Sequence, residues 1–295
     1  MSDFRIVISA ILWAVIGLFT SQLRKYGLSS TEISALRWIF AAIMMFSVVA
    51  LIDKNRLKIR IKDVWIFILS GVFALMFTSI FYFLSMEYTS VAVSDVLMYT
   101  SPIWVIILSK VVFKEKITPL KVLLILGVFY GCILVSGVFN YSVNEISVKG
   151  MLFGIASGIT YGMYSVISKI ALKKYSNTTF ALYSFGFAAV GSMFTIEPTT
   201  FFSIISNERI SLIYIIGMSS LSTVIPYLLY TSALLKVSPL RASVIACLEP
   251  VTASMISVFA LHERISVSQI VGIILIIVMI LFLQSSEGEY INAKG

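Results

Sequence analysis

Ten stretches of mostly apolar residues follow one another along the chain, with only short connections between them. A helix that crosses a hydrocarbon core about 30 Å thick needs about 17–25 such residues at about 1.5 Å per residue. This succession restricts the chain to an integral membrane fold. Spans are expected near Phe4–Leu23, Glu32–Ile52, Val64–Met86, Val91–Phe113 and Pro119–Val138 in the first half. The second half gives Lys149–Leu172, Phe180–Glu197, Ile210–Leu235, Pro239–Leu261 and Ser266–Gln284. Apolar residues fall on every face with no period-two alternation, which predicts an all-α bundle rather than a barrel. The first stretch is too long for a signal peptide and has no small-residue cleavage site before Arg24-Lys25, so it is read as a span.

Composition agrees. The 295 residues are 59% apolar and 12% charged, against about 45–50% and about 25% in soluble domains. The single His262 and the two cysteines, Cys132 and Cys247, cannot supply the four ligands of a structural zinc site, and each cysteine reads as a small core residue. No metal and no cofactor are expected.

Orientation follows from lysine and arginine in the connections. With the N-terminus in the cytoplasm, the inner set is Arg5, Lys54, Arg56, Lys58, Arg60, Lys62, Lys114, Lys116, Lys173, Lys174, Lys236, Arg241 and Lys294. The outer set is only Arg24, Lys25, Lys149, Arg209 and Arg264. Both termini are therefore expected in the cytoplasm, with Val143 and Asn144 facing outward. The run Asp53–Asp63, basic at every second position, reads as an inner loop that can touch anionic lipid. It lacks the aromatic platforms of a nucleic-acid surface, so lipid and a small solute are the expected partners. Oligomeric state is left open between monomer and homodimer.

The chain also matches itself at a shift of 148 residues. Tyr82/Tyr230, Ser90/Ser238, Val96/Val244, Pro102/Pro250, Ser109/Ser257, Glu115/Glu263 and Ile117/Ile265 coincide, and Ser9/Ser157 and Thr31/Thr179 follow at the same shift. The rare residues carry the weight, since the chain has only 6 prolines. The domains expected are two five-helix repeats, 1–147 and 148–295. Five is odd, so the second repeat is inverted relative to the first, as in many secondary transporters.

Pro102 followed by Lys114-Glu115-Lys116-Ile117-Thr118, echoed by Leu248-Glu249-Pro250 and His262-Glu263-Arg264-Ile265-Ser266, resembles the drug/metabolite transporter superfamily, in particular its EamA-type family. Gly127 and Gly272 fit the glycine-containing fifth helix of each repeat in that family. The resemblance covers nearly the whole chain. It implies ten helices in two inverted repeats, a solute path lined by the first, third and fourth helix of each, and transport of amino acids, nucleosides, sugars or other metabolites, mostly outward in bacteria.

Trp13, Tyr82, Tyr161, Tyr227 and Tyr230 lie within spans rather than at the interfaces where membrane aromatics collect. Thr78 stands one turn before Tyr82, and Asp95 shares a helix face with Tyr99 and Pro102. Helix packing explains any one of these. Together they suggest an aromatic-lined substrate site. Glu249 sits deepest of the ionisable groups, where an acid costs on the order of 2.5–3.5 kcal/mol on insertion scales. It is expected to be protonated, paired or facing a wet cavity, and Glu249 and Asp95 are the candidate proton or charge sites, with a structural role as the alternative. Pro102 and Pro250 are candidate hinges, with static bends as the plainer reading. Glu115 and Glu263 are read as turn acids bonding amides at the start of the next helix. Arg37, one turn into its span, is expected to snorkel outward.

The function expected is a secondary transporter, an exporter of a small organic solute in the cell membrane, and not an enzyme. The alternatives are a non-transporting receptor or channel and an intramembrane hydrolase built on Ser157 or Ser219-Ser220 with His262. No G-x-x-x-x-G-K-[ST] loop for an ATP-driven pump is present.

Overall fold

The structure is a computed structural model that describes residues 1–138, 147–196, 209–261 and 264–292. Val143 and Asn144, the turn acid Glu263, His262, and Glu197 at the expected end of the seventh span lie outside the described residues. Among the described residues the fold is helical, with no strand.

Among the described residues nine helices are long and apolar enough to cross a bilayer: α1 (Ser2–Lys25), α2 (Ser30–Ile52), α3 (Ile61–Tyr88), α4 (Val91–Phe113), α5 (Pro119–Ser136), α6 (Val148–Ala171), α8 (Ile210–Leu234), α9 (Pro239–Phe259) and α10 (Val267–Ser285). Between α6 and α8 lies α7 (Asn177–Ser192), shorter at 16 residues. The protein is a multi-pass, all-α membrane protein.

Helix starts follow local chemistry. Ser90 and Ser238, which coincide in the 148-residue shift, each accept a backbone N–H at the start of α4 and α9. Ser29 with Glu32 forms a capping box on α2, and Ser266 with Gln269 forms another on α10. The start of α5 corrects the role expected of Glu115. Thr118 Oγ1, not the Glu115 carboxylate, accepts from the Lys121 amide at 3.3 Å. The threonine stands directly before the first helical residue, where a short side chain reaches that amide.

Among the described residues, α1 is interrupted at Val15, and four further helices are interrupted inside the bundle. Alpha-helical bonding widens to a π-helical stretch at Leu69–Met76 in α3 and at Ser220–Val224 in α8. The helical run of α4 breaks at Tyr99-Thr100, and that of α9 at Cys247. Pro102 and Pro250 therefore stand in the first turn of a second helical segment, where the missing N–H leaves no internal bond unmade. The mid-span kink expected from each proline takes the form of a break just ahead of it.

The main helix pairs are kept when the two halves are exchanged. The pairs α2·α7, α4·α9 and α5·α10 map onto themselves, α3·α6 onto α1·α8, and α4·α6 onto α1·α9. A close approach is made by α6, where Gly150, Gly154, Gly158 and Gly162 form one stripe at four-residue spacing. A Cβ on Gly158 would lie 2.7 Å from the Leu97 carbonyl oxygen, and one on Gly162 would lie 3.0 Å from that of Ser101. The stripe thus seats α6 against the broken stretch of α4.

The ends of the bundle differ. At one end Asp3 pairs with Arg241 at 2.6 Å, and the buried Asp63 pairs with Lys174 at 2.7 Å and accepts from the Tyr175 hydroxyl at 2.8 Å. The basic loop belongs to this end. Leu57 and Ile59 turn inward, Lys54, Arg56, Lys58, Arg60 and Lys62 stay exposed, and the Arg56 and Leu57 carbonyls accept from Thr179 and Tyr183. Lys169 Nζ donates to the last carbonyl of α8, at Leu234, and to that of Val237 in the turn after it. The loop is thus docked on the α6–α7 turn as well as presenting its charge outward.

Replacing Gly158 with leucine should destabilise the bundle by about 1–3 kcal/mol or more through overpacking. Gly17→Ala, where a Cβ meets nothing within 4 Å, should leave stability unchanged. Thermal unfolding of the two variants in detergent checks this, and equal stability would contradict the close approach.

Candidate functional site

Four of the aromatic residues singled out by sequence meet in one cluster. Trp13 on α1 packs edge-on or tilted against Tyr161, Tyr227 and Tyr230, at ring distances of 6.5, 5.2 and 5.3 Å. Tyr227 also meets Tyr164, Phe185 and Trp38 at 5.0, 5.6 and 5.9 Å. These are the edge-to-face geometries that aromatic quadrupoles favour. The Tyr230 hydroxyl shares a 2.6 Å hydrogen bond with Ser165. The indole Nε1 of Trp13 and the hydroxyl of Tyr164 are buried without partners. The cluster encloses only about 10 Å³, room for about one water. Ser101, Ser165 and Ser243 share its wall.

Tyr82 is placed elsewhere. Although it coincides with Tyr230 in the 148-residue shift, its hydroxyl donates to Asp95 Oδ1 at 2.7 Å, tying α3 to α4. Among the described residues its ring meets Phe83 and no member of the Trp13 cluster. Thr78, one turn below, donates to Ala74 and to Thr160 on α6, both at 2.8 Å. Thr78 therefore joins the halves rather than the aromatic cluster.

Glu249 stands in the first turn of the second segment of α9, just past the break at Cys247. Amides at a helix start carry partial positive charge, which favours an acid there. The Tyr161 hydroxyl donates to its Oε2 at a long 3.5 Å. Tyr99, buried at the matching break of α4, lies within electrostatic reach of Glu249, Asp95 and Tyr161. Neither Asp95 nor Glu249 forms an ion pair among the described residues. In the 148-residue shift Asp95 coincides with Ser243 and Glu249 with Ser101. Each half thus places an acid where the other has serine.

Arg37 overturns its expected placement. Its side chain points into the bundle, donating to Ser79 on α3 at 3.4 Å and lying over the Trp38 ring at 4.3 Å. The backbone around it is held as well, since Ser219 on α8 donates to the Arg37 carbonyl. Snorkelling needs a free path to the interface, and α3 and α8 close that path. A larger cavity of about 340 Å³ lies towards the end opposite the ion-paired one, bounded by Arg24, Ser30, Ile80, Phe83, Met86 and Glu87. Arg24 in its wall is within electrostatic reach of Tyr82.

The serines of the hydrolase alternative are occupied in ordinary helix geometry. Ser157 donates to Gly154, Ser220 to Ile216 and Gly217, and Ser219 to Arg37. None stands on a turn that would present a nucleophile, and His262 lies outside the described residues.

Comparisons with known proteins point one way. Residues 1–137 and 148–284 match the EamA-like transporter family. An uncharacterized transporter of Archaeoglobus fulgidus is 27% identical over 270 residues, covering 90% of each chain. The uncharacterized transporter YyaM of Bacillus subtilis is 25% identical over 295 residues, covering 95% of this chain and 94% of its own. A solved crystal structure superposes with a TM-score of 0.75 at 16% identity, covering 95% of this chain and 94% of that one, which shows a shared fold. With both matched segments together spanning most of its length, this membrane protein belongs to the EamA-like transporter family.

Proposed function

We propose that the chain is a secondary transporter that exports a small amine-bearing organic solute, an amino acid or related metabolite, by alternating access. The observation that carries this reading is the pair of carboxylates, Asp95 and Glu249, set beside the breaks of α4 and α9 with tyrosine donors and, among the described residues, no cationic side chain paired to them. Charged groups in a membrane interior are retained where they pair with one another or serve a substrate or ion path. Glu249, at the hydroxyl of Tyr161, whose ring packs against Trp13, suits an ammonium group, which aromatic faces also attract. The names of the family and of the relatives support transport in general. Outward direction rests on the resemblance to bacterial members.

Residues 1–147 and 148–295 are proposed as two inverted five-helix units. Support comes from helix pairing that survives exchange of the halves and from matched breaks at Tyr99-Thr100 and Cys247. Units of one shape in opposite orientation offer two packings of similar energy, one open to each side. Pro102 and Pro250, next to the breaks, would act as hinges. The basic-residue bias supports placing the ion-paired end in the cytoplasm and the protein in the cell membrane. Asp3–Arg241 and Asp63–Lys174 each join one half to the other at that end. This arrangement is closed towards the cytoplasm, and its 340 Å³ cavity lies on the outer side.

In proteoliposomes the wild-type protein should move labelled amino acids or amines. Glu249→Gln keeps the shape of the acid but removes its charge, and should cut transport of amine-bearing solutes about tenfold or more, the worth of a charged hydrogen bond. Normal expression with wild-type rates and selectivity would leave Glu249 a structural role. Tyr230→Phe, which removes the bond to Ser165, should change apparent affinity without unfolding the protein. Orientation is checked separately: cysteines at Val143 and Asn144 should react with an impermeant thiol reagent on intact cells, and protection of both refutes it.

A further inference from the structure

Arg37 lies about two turns inside the Ser30 end of α2, about 10 Å along the helix axis. A guanidinium carries five N–H donors in a rigid planar fork. Here one donor reaches Ser79 at 3.4 Å, the Trp38 ring supports the plane at 4.3 Å, and the buried Nε has no partner. Among the described residues no carboxylate pairs with it. Glu249, Tyr161 and Tyr227 are within electrostatic reach but not in hydrogen-bond contact. The two partly buried acids are engaged by tyrosines instead, Asp95 with Tyr82 and Glu249 with Tyr161.

Buried polar groups are as a rule hydrogen-bonded, and buried charges are paired. The Arg37 cation on α2 and the Glu249 acid on α9 therefore stand within electrostatic reach of each other with no ion pair between them among the described residues. A structural ion pair would have brought Arg37 and Glu249 together. Separated, the two signs of charge suit a solute that carries both. Carboxylate geometry matches the fork in a way that a single point charge does not.

We propose that Arg37 anchors the carboxylate of the transported solute, its fork taking both oxygens, while the amine of the same molecule lies towards Glu249 and Asp95. Trp38 and Ser79 hold the guanidinium plane for that contact. The assignment rests on the transporter reading and narrows it, because the solute must be zwitterionic and a carboxamide in place of the carboxylate must be rejected.

The test uses the full chain in proteoliposomes, with labelled leucine, phenylalanine and lysine and the corresponding three carboxamides. Wild-type protein is expected to favour at least one acid over its carboxamide by about tenfold or more. In Arg37→Gln that ratio should fall close to one, chiefly through slower transport of the acid, while Arg37→Lys restores part of it. A structural role would lower both members of a pair together and leave the ratio alone. Elution profile and thermal unfolding report folding. Should Arg37→Gln fail to fold, Arg37→Lys, which keeps the charge and loses the fork, should still lower the ratio. An unchanged ratio in a folded variant, or wild-type protein that moves carboxamides as well as acids, overturns the assignment and leaves the transporter reading standing. Wild-type transport of none of the six compounds removes the amino-acid reading and the assignment with it.

Discussion

A helix in hydrocarbon can be interrupted only where protein covers the backbone groups that the interruption releases. In this bundle the described breaks of α3, α4, α8 and α9 obey that constraint, and the polar side chains gather around them. The glycine stripe of α6 brings its backbone against α4 beside Leu97 and Ser101, covering the Tyr99-Thr100 break. Glu249 follows the Cys247 break of α9, and Tyr99 forms the matching break of α4. Irregular backbone, partly buried acids and aromatic rings thus occur together. Pi-helical segments such as Leu69–Met76 and Ser220–Val224 frequently accompany functional sites for the same reason.

What the sequence revealed, and what it hid, follows from the range of each interaction. Spans are legible because the cost of burying polar groups in lipid accumulates over about twenty neighbouring residues. The fourth span starts and ends where it was expected, at Val91 and Phe113. The aromatic cluster was half legible. Trp13, Tyr161, Tyr227 and Tyr230 do meet, yet Tyr82, chosen by the same symmetry, bonds Asp95 instead. The 148-residue shift pairs positions, not surroundings, and Asp95 has serine as its counterpart. Arg37 was misread because its depth alone suggested an outward path, while the helices closing that path come from α3 and α8, far along the chain. The four-residue glycine spacing of α6 was available as a signal of close helix approach, and it marks the contact that covers a break.

The two ends of the bundle carry different interactions. At the basic end both cross-half ion pairs are complete, and the loop from Lys54 to Asp63 adds hydrogen bonds to α7 and the turn before it. At the other end Lys149 meets Tyr88, and the larger cavity lies beside Arg24 and Glu87. Opening the basic end requires breaking both of these pairs, one of them on the buried Asp63, where an acid left without its partner is costly.

The central claim is that the polar core between α4, α6 and α9 is reached from one side of the membrane at a time. Ser101 lines the small enclosed cavity and is buried. A cysteine at Ser101, in a chain whose Cys132 and Cys247 are alanine, reports directly on that access. An impermeant thiol reagent should label it from outside in intact cells and also from the cytoplasmic face in inverted vesicles, with transported solute slowing both reactions. Labelling from neither side, or from one side only under every condition, would contradict the account.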